Sequence, residues 1–160
     1  AQMRKRLNEL HRAGQDVPRI MAEVAEGATV EAVRVATENT PPNDGTIAGT
    51  NMRSGDMAQH WVTDSQTAPI VSGKSVQTGL NNNMQYASYV NDGHRVDKHY
   101  VPGLIKNGSL LEWSPDGSGG LMVGTKTTYV KGKYMKQKAI GKYRSVIRTE
   151  LDKRVREAFK

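Results

Sequence analysis

Four histidines are the first residues that could do chemistry: His11, His60, His94 and His99. His94 and His99 lie five apart beside Asp92 and Asp97. A zinc site would want histidines at i, i+4 on a helix, or a closing carboxylate. Here the segment runs from turn into strand and nothing completes a shell, so no metal site is expected. The stretch Ala68-Pro69-Ile70-Val71-Ser72-Gly73-Lys74-Ser75 matches a loose phosphate-binding loop, with Ala in the first Gly position. That chemistry needs a buried strand before the loop and a helix after it, so that backbone N–H groups face the phosphates. Val76 to Asn83 is a poor helix, and no later apolar strand ends in an Asp for magnesium. Ser72-Gly73-Lys74 therefore reads as a hairpin turn. No Ser sits in a strand–turn–helix elbow, and no carboxylate pair stands in an apolar setting. The six tyrosines are spread over several elements and not interleaved with Lys/Arg, so they read as packing residues. No catalytic, cofactor-binding or metal-binding residue is assigned, and no enzymatic activity is expected.

Whatever this chain does must then be done by surfaces. It has 160 residues, enough for a single domain over 1–160. Apolar residues make up only 36%, with one Phe and two Trp, so the core will be thin and neighbours are expected to complete it. No apolar run is long enough to span a membrane. No signal-peptide hydrophobic region follows Gln2-Met3-Arg4-Lys5-Arg6. The absence of cysteine excludes disulfides and thiolate chemistry, which fits a reducing cytoplasm or a particle assembled there. The net charge of +7 is uneven. Residues 1–40 balance, 41–125 are slightly acidic, and the last 35 residues carry twelve Lys/Arg against three Asp/Glu. Such a block binds nucleic acid or an acidic protein surface, or is a solvated helix face.

The periodicities predict helix, small antiparallel sheet, helix: an α+β fold. Met3, Leu7 and Leu10 mark a short N-terminal arm or helix within 1–14, ended by Gly14. Asp16 offers an N-cap with Pro18 in the first turn, and the stripe Val17, Ile20, Met21, Val24, Ala28, Ala32, Val35, Ala36 runs to about Glu38. Pro41 and Pro42 stop it, and 40–56 is loop chemistry. Residues 57–64 alternate like a strand, and 75–80 read as a second one. Gln85 to Val90 is short and aromatic, closed by a turn at Asn91-Asp92-Gly93. Residues 99–113 and 120–130 are expected as two more strands, with a hairpin tip at 114–120. Ile140, Tyr143, Ile147, Leu151, Val155 and Ala158 define one face of a long amphipathic helix over 133–158. Its stripe should pack on the sheet, leaving a basic outer side.

The order of these features resembles the neck and tail-completion proteins of long-tailed bacteriophages, the head–tail joining tail components. The likeness covers roughly residues 20–155. A first helix ends in Asn39-Thr40-Pro41-Pro42-Asn43-Asp44-Gly45. Then come Tyr86-Ala87-Ser88-Tyr89-Val90-Asn91-Asp92-Gly93-His94 and Tyr129-Val130-Lys131-Gly132-Lys133-Tyr134-Met135. The Tyr-Ala-x-Tyr-Val box with its Gly-His is the most specific of them. The resemblance implies a non-enzymatic structural protein of the virion, assembled in the host cytoplasm. It implies a homo-oligomeric ring, a hexamer or else a dodecamer, between the head connector (stopper) protein and the tail tube protein. DNA would pass through its lumen without specific binding. The alternative from composition alone is a small basic nucleic-acid-binding domain led by the last helix.

Two surfaces are expected to carry assembly. Residues 100–125, rich in Gly and Pro, should include a projecting loop or hairpin. There Leu104, Ile105, Leu110, Leu111 and Trp113 would be exposed in a monomer and meet a neighbour. On the last helix, Lys138, Lys142, Arg148 and Arg154 are expected to face a subunit or partner. A wall of phosphate contacts would hold back a passing genome, because each contact adds affinity through counterion release.

Overall fold

The computed structural model describes residues 2–41, 55–124 and 128–159, so most of the loop expected at 40–56 lies outside the described residues. The longest element is α1, Gln2–Glu38. It does not break at Gly14, as the sequence reading expected, and Pro18 lies inside it. A helical Gly costs about 1 kcal/mol relative to Ala, and an internal Pro removes one backbone bond. Packing outweighs these: Ala13, Ile20, Val24 and Ala25 are buried along the turns that flank the two breakers. Arg19 also bridges Asp16 and Glu23 at 3.2 and 3.0 Å across those turns. Such exposed pairs add only tenths of a kcal/mol each.

The last helix, α4, spans Met135–Ala158. The expected stripe is its inner face, but it packs chiefly on α1 and not on a sheet. The two run antiparallel: Lys138 meets Asn39, Lys142 meets Glu31, and Arg154 meets Glu23. The reason lies in small residues. Ala28, Ala32, Ala36 and Ala139 are almost wholly buried, which lets two helices approach more closely than leucines would.

Residues 56–64 are a helix, α2 (Asp56–Asp64), where a strand was expected. Met57 and Trp61 fit both patterns, being four apart. On the helix both are buried in one cluster with Ala32, Val33, Ala36, Met135 and Ala139. Thr40 sits at its centre. Its hydroxyl donates to the Ala36 carbonyl at 2.7 Å, accepts from Trp61 Nε1 at 2.8 Å, and lies 3.1 Å from Met135 Sδ. After α2, β1 (Gln66–Ser72) and β2 (Ser75–Gly79) pair around Gly73-Lys74, so the phosphate-loop-like text forms a hairpin turn. Gly73 has φ of 56°, as the first position of a two-residue hairpin turn requires. The hairpin is pinned to α1 by a 2.7 Å bond from Thr29 to the Thr78 hydroxyl.

The aromatic segment is not extended. It forms α3, Ala87–Asp92, ended by Gly93. The remaining strands are β3 (Gly93–Arg95), β4 (His99–Pro102), β5 (Leu104–Asn107), β6 (Leu110–Trp113), β7 (Gly120–Val123) and β8 (Tyr129–Lys131). They nest: β3 pairs with β8, β4 with β7, β5 with β6, all antiparallel. The expected single strand over 99–113 is thus broken at Gly103, which has φ of 75°. The hairpin tip is Gly108-Ser109, between Asn107 and its partner Leu110, and not 114–120. Gly108 supplies the positive φ that the tip needs.

One ionisable group adds pH dependence to this frame. Asp64 accepts the Asn83 N–H at 2.8 Å and faces His60 Nδ1 at 2.8 Å. The Asn83 bond, then the His60 bond, holds its carboxyl below the usual carboxylate value. The folded state therefore favours the carboxylate. Its contribution is complete above the unfolded value of about 4 and is lost as pH falls through the lower folded value. The stability gap between wild type and Asp64→Asn should accordingly shrink as pH falls below the unfolded value of about 4, read from urea midpoints.

Candidate assembly surface

The two sequence boxes that carry the resemblance meet in space, around Asn91. This side chain is 6% exposed. Its Oδ1 accepts the Lys136 N–H at 2.9 Å, satisfying one of the donors that α4 leaves open in its first turn. Its Nδ2 donates to Gln137 Oε1 at 3.0 Å and Asp92 Oδ1 at 2.6 Å. The residue at the helix's own capping position, Tyr134, is in the left-handed region and makes no side-chain cap bond. Its N–H goes to the Asn91 carbonyl at 2.9 Å, and the Lys133 N–H goes to the Val90 carbonyl at 2.9 Å. An Asn on one segment thus caps a helix that starts 44 residues later.

This junction requires two glycines. A Cβ on Gly93, where φ is 84°, would stand 2.6 Å from the Val130 carbonyl and 2.7 Å from the Gly132 nitrogen. A Cβ on Gly132 would press on the Asp92 and Gly93 backbone in turn. Two chain segments pass here closer than any side chain allows.

From the junction the nested strands leave as an arm. Bonds from Val96 N–H to Thr128 O, Gly103 N–H to Gly119 O, and Ser114 N–H to Gly103 O carry the ladder across its irregular joints. Beyond the base, the arm's main contacts are within itself, and no residue of β4 to β7 belongs to the core cluster. Its apolar side chains are accordingly bare. Trp113 is 64% exposed and Tyr100 56%, and Met122, Leu110 and Leu111 are exposed too. Of the five arm residues singled out from sequence, Leu104 and Ile105 are half-buried and the other three exposed. Pairing puts Leu104, Leu111 and Trp113 on one face, and Ile105 and Leu110 on the other. Tyr100 and Met122 form a cross-strand pair that periodicity did not single out. The Tyr100 ring lies over Gly120, covering the gap that the glycine leaves. Beside Trp113, Asp116 accepts from the Ser114 hydroxyl, the Ser118 hydroxyl at 2.7 Å and the Ser118 N–H at 3.0 Å. These bonds, the Ser114 one foremost, hold its carboxyl far below the usual range.

The four basic residues do not join this surface. Lys138 Nζ donates to Asn39 Oδ1 at 2.8 Å, and Arg154 Nη1 to Glu23 Oε2 at 2.8 Å. Lys142 Nζ lies 3.9 Å from Glu31 Oε2. Three of the four therefore lie along the α1–α4 seam, Lys142 and Arg154 against carboxylates and Lys138 against a neutral amide. Each such exposed pair contributes about 0–1 kcal/mol.

Beside the junction lies a cleft of about 400 Å³ between α2, α3 and β8. Met57, Tyr86, Val90, His94 and Val130 give it apolar and aromatic walls, with Lys131 and Lys133 at its side. His94 packs edge-on against Tyr89 with ring centroids 5.8 Å apart, and His99 Nδ1 lies 2.9 Å from the Asp97 carbonyl. Among the described residues no three His, Asp or Glu side chains gather as metal ligands would. No helix there is long and apolar enough to cross a membrane. No protein-family model, curated protein or solved structure matches this chain.

Two outcomes follow from this geometry. Asn91→Ala should cost about 1–3 kcal/mol in urea unfolding, since it strands the Lys136 N–H and the Gln137 amide. Asn91→Asp should not restore it, because a carboxylate would then face Asp92. Pro102 and Gly120 are directly opposed, so residues 103–119 can be replaced by Asn-Gly, which closes a two-residue hairpin. That variant should keep its cooperative unfolding, with stability within about 1 kcal/mol of wild type.

Proposed function

We propose that this chain is a non-enzymatic structural subunit of a bacteriophage neck. Copies close head-to-tail into a ring that completes the end of the tail tube. The ring joins the tail to the head connector, and DNA passes through its lumen without specific binding. The observation that carries this reading is the arm: a ladder of exposed Leu, Trp, Tyr and Met beyond the core, on a joint built by the two boxes that resemble the phage family. A monomer gains nothing from such a surface, whereas a heterologous contact that closes makes a ring. The reading places the protein in the virion, between a connector protein and a tube protein.

A second reading, a small basic nucleic-acid-binding domain, rests on the twelve Lys/Arg of the last 35 residues. The two part in salt. Binding to DNA through phosphates falls steeply as salt rises. An apolar ring should hold its mass between about 0.1 and 1 M NaCl, where charge screening shortens from roughly 10 to 3 Å. Light scattering of the purified chain, with negative-stain images, is the test. Closed rings stable in salt support the neck reading. A monomer that binds duplex DNA with a steep salt slope supports the other.

A further inference from the structure

The arm presents a large exposed aromatic, and among the described residues the body presents a cleft with aromatic and apolar walls. Within one chain they do not meet. Trp113 pairs with Leu104, about ten residues along the ladder from His94, so roughly 30 Å separates it from the cleft at 3.3 Å per residue. Their chemistry is complementary. The cleft, at about 400 Å³, has room for an indole, and its walls are Met57, Tyr86, Val90 and Val130. Lys131 and Lys133 stand at its side, and Asp56 is the carboxylate among its lining residues. On the arm, the Asp116 carboxylate follows Trp113 by three residues and is fixed by Ser114 and Ser118, with Lys106 on the same ladder face as Trp113 and Glu112 on the opposite one.

We infer that Trp113 of one subunit seats in the cleft of the next, with Asp116 facing Lys131 and Lys133 there. The occupant is a second copy of this chain. A partner of the opposite kind, basic and apolar, would be turned away by those lysines. This deepens the proposed function and rests on the reading of the chain as a self-assembling subunit. It makes the contact heterologous, since arm and cleft are different surfaces, and gives every subunit one donor and one acceptor.

The test starts from a sequence without cysteine. Asp116→Cys and Lys131→Cys chains are prepared separately, mixed and oxidised. A disulfide-linked dimer from the mixture, absent from either variant alone, is expected. In light scattering, Trp113→Ala should raise the concentration needed for assembly by at least about tenfold, as loss of a central aromatic anchor does. Asp116→Lys should also weaken assembly, and Lys131→Asp with Lys133→Asp in the same chain should restore it. Circular dichroism and urea midpoints check that each variant is folded. Wild-type assembly that Trp113→Ala leaves intact, with no cross-link, overturns this contact and leaves the ring standing. Assembly only after a second protein is added also overturns it. A wild-type chain that stays monomeric at every concentration overturns the contact and the ring reading together.

Discussion

The bond from Asn91 Oδ1 to the Lys136 N–H, with its companions, is where the parts of this molecule are tied together. On one side stands α3, packed through Ala87 and Val90 against the core. On the other, α4 begins, and its first buried residue, Met135, reaches the Trp61 and Thr40 cluster. The arm leaves and returns between them. The start of α4 thus depends on a side chain from another segment, because its own capping residue is a left-handed tyrosine. Buried polar groups are costly when unpaired. Asn91 has partners for its oxygen and its nitrogen, and among the described residues no buried side-chain polar atom is left without one.

A thin composition is managed by division. The small residues are spent on the α1–α4 seam, where alanines bring backbones together, and the few large ones on a single cluster of Met57, Trp61 and Met135. Other large apolar residues lie outside. Met3, Leu7 and Leu10 stand exposed on the first turns of α1, Ile70 and Val71 on β1, and Tyr100, Leu110, Leu111, Trp113 and Met122 together on the arm. Exposed apolar groups scattered singly are ordinary, but a contiguous set on one projecting ribbon is what interfaces are made of.

Much of this was legible in the sequence. The two long helices announced themselves by periodicity, since a stripe over many turns is hard to mimic. The exposed Leu110, Leu111 and Trp113 of the arm were legible as apolar text among glycines. Other features were not, for particular reasons. Met57 and Trp61 satisfy a spacing of four and of two steps of two alike, so α2 looked like a strand. A glycine and a proline in α1 argued for a break, and only the burial of Ala13 and Ile20 around them decided otherwise. The stripe on α4 said that one face is covered without saying by what. The role of Asn91 depends on a contact across 45 positions, and no local pattern encodes that. Lys138, Lys142 and Arg154 looked available because their partners, Asn39, Glu31 and Glu23, lie on α1 or just past its end.

The nesting of the arm also bears on how the chain closes on itself. About 40 residues lie between Gly93 and Lys131, and bringing the ends of such a loop together costs about 3 kcal/mol of chain entropy. The ladder divides that cost into small steps. A two-residue turn at Gly108-Ser109 brings β5 to β6, that pair brings Pro102 to Gly120, and that in turn brings Gly93 to Lys131. Each stage closes only a short gap before the next bond forms. A two-stranded ribbon by itself is marginal in water, so the zipped arm persists when its base is clamped by the body. The arm delivers α4 to α3, and the docked helices then hold the arm shut.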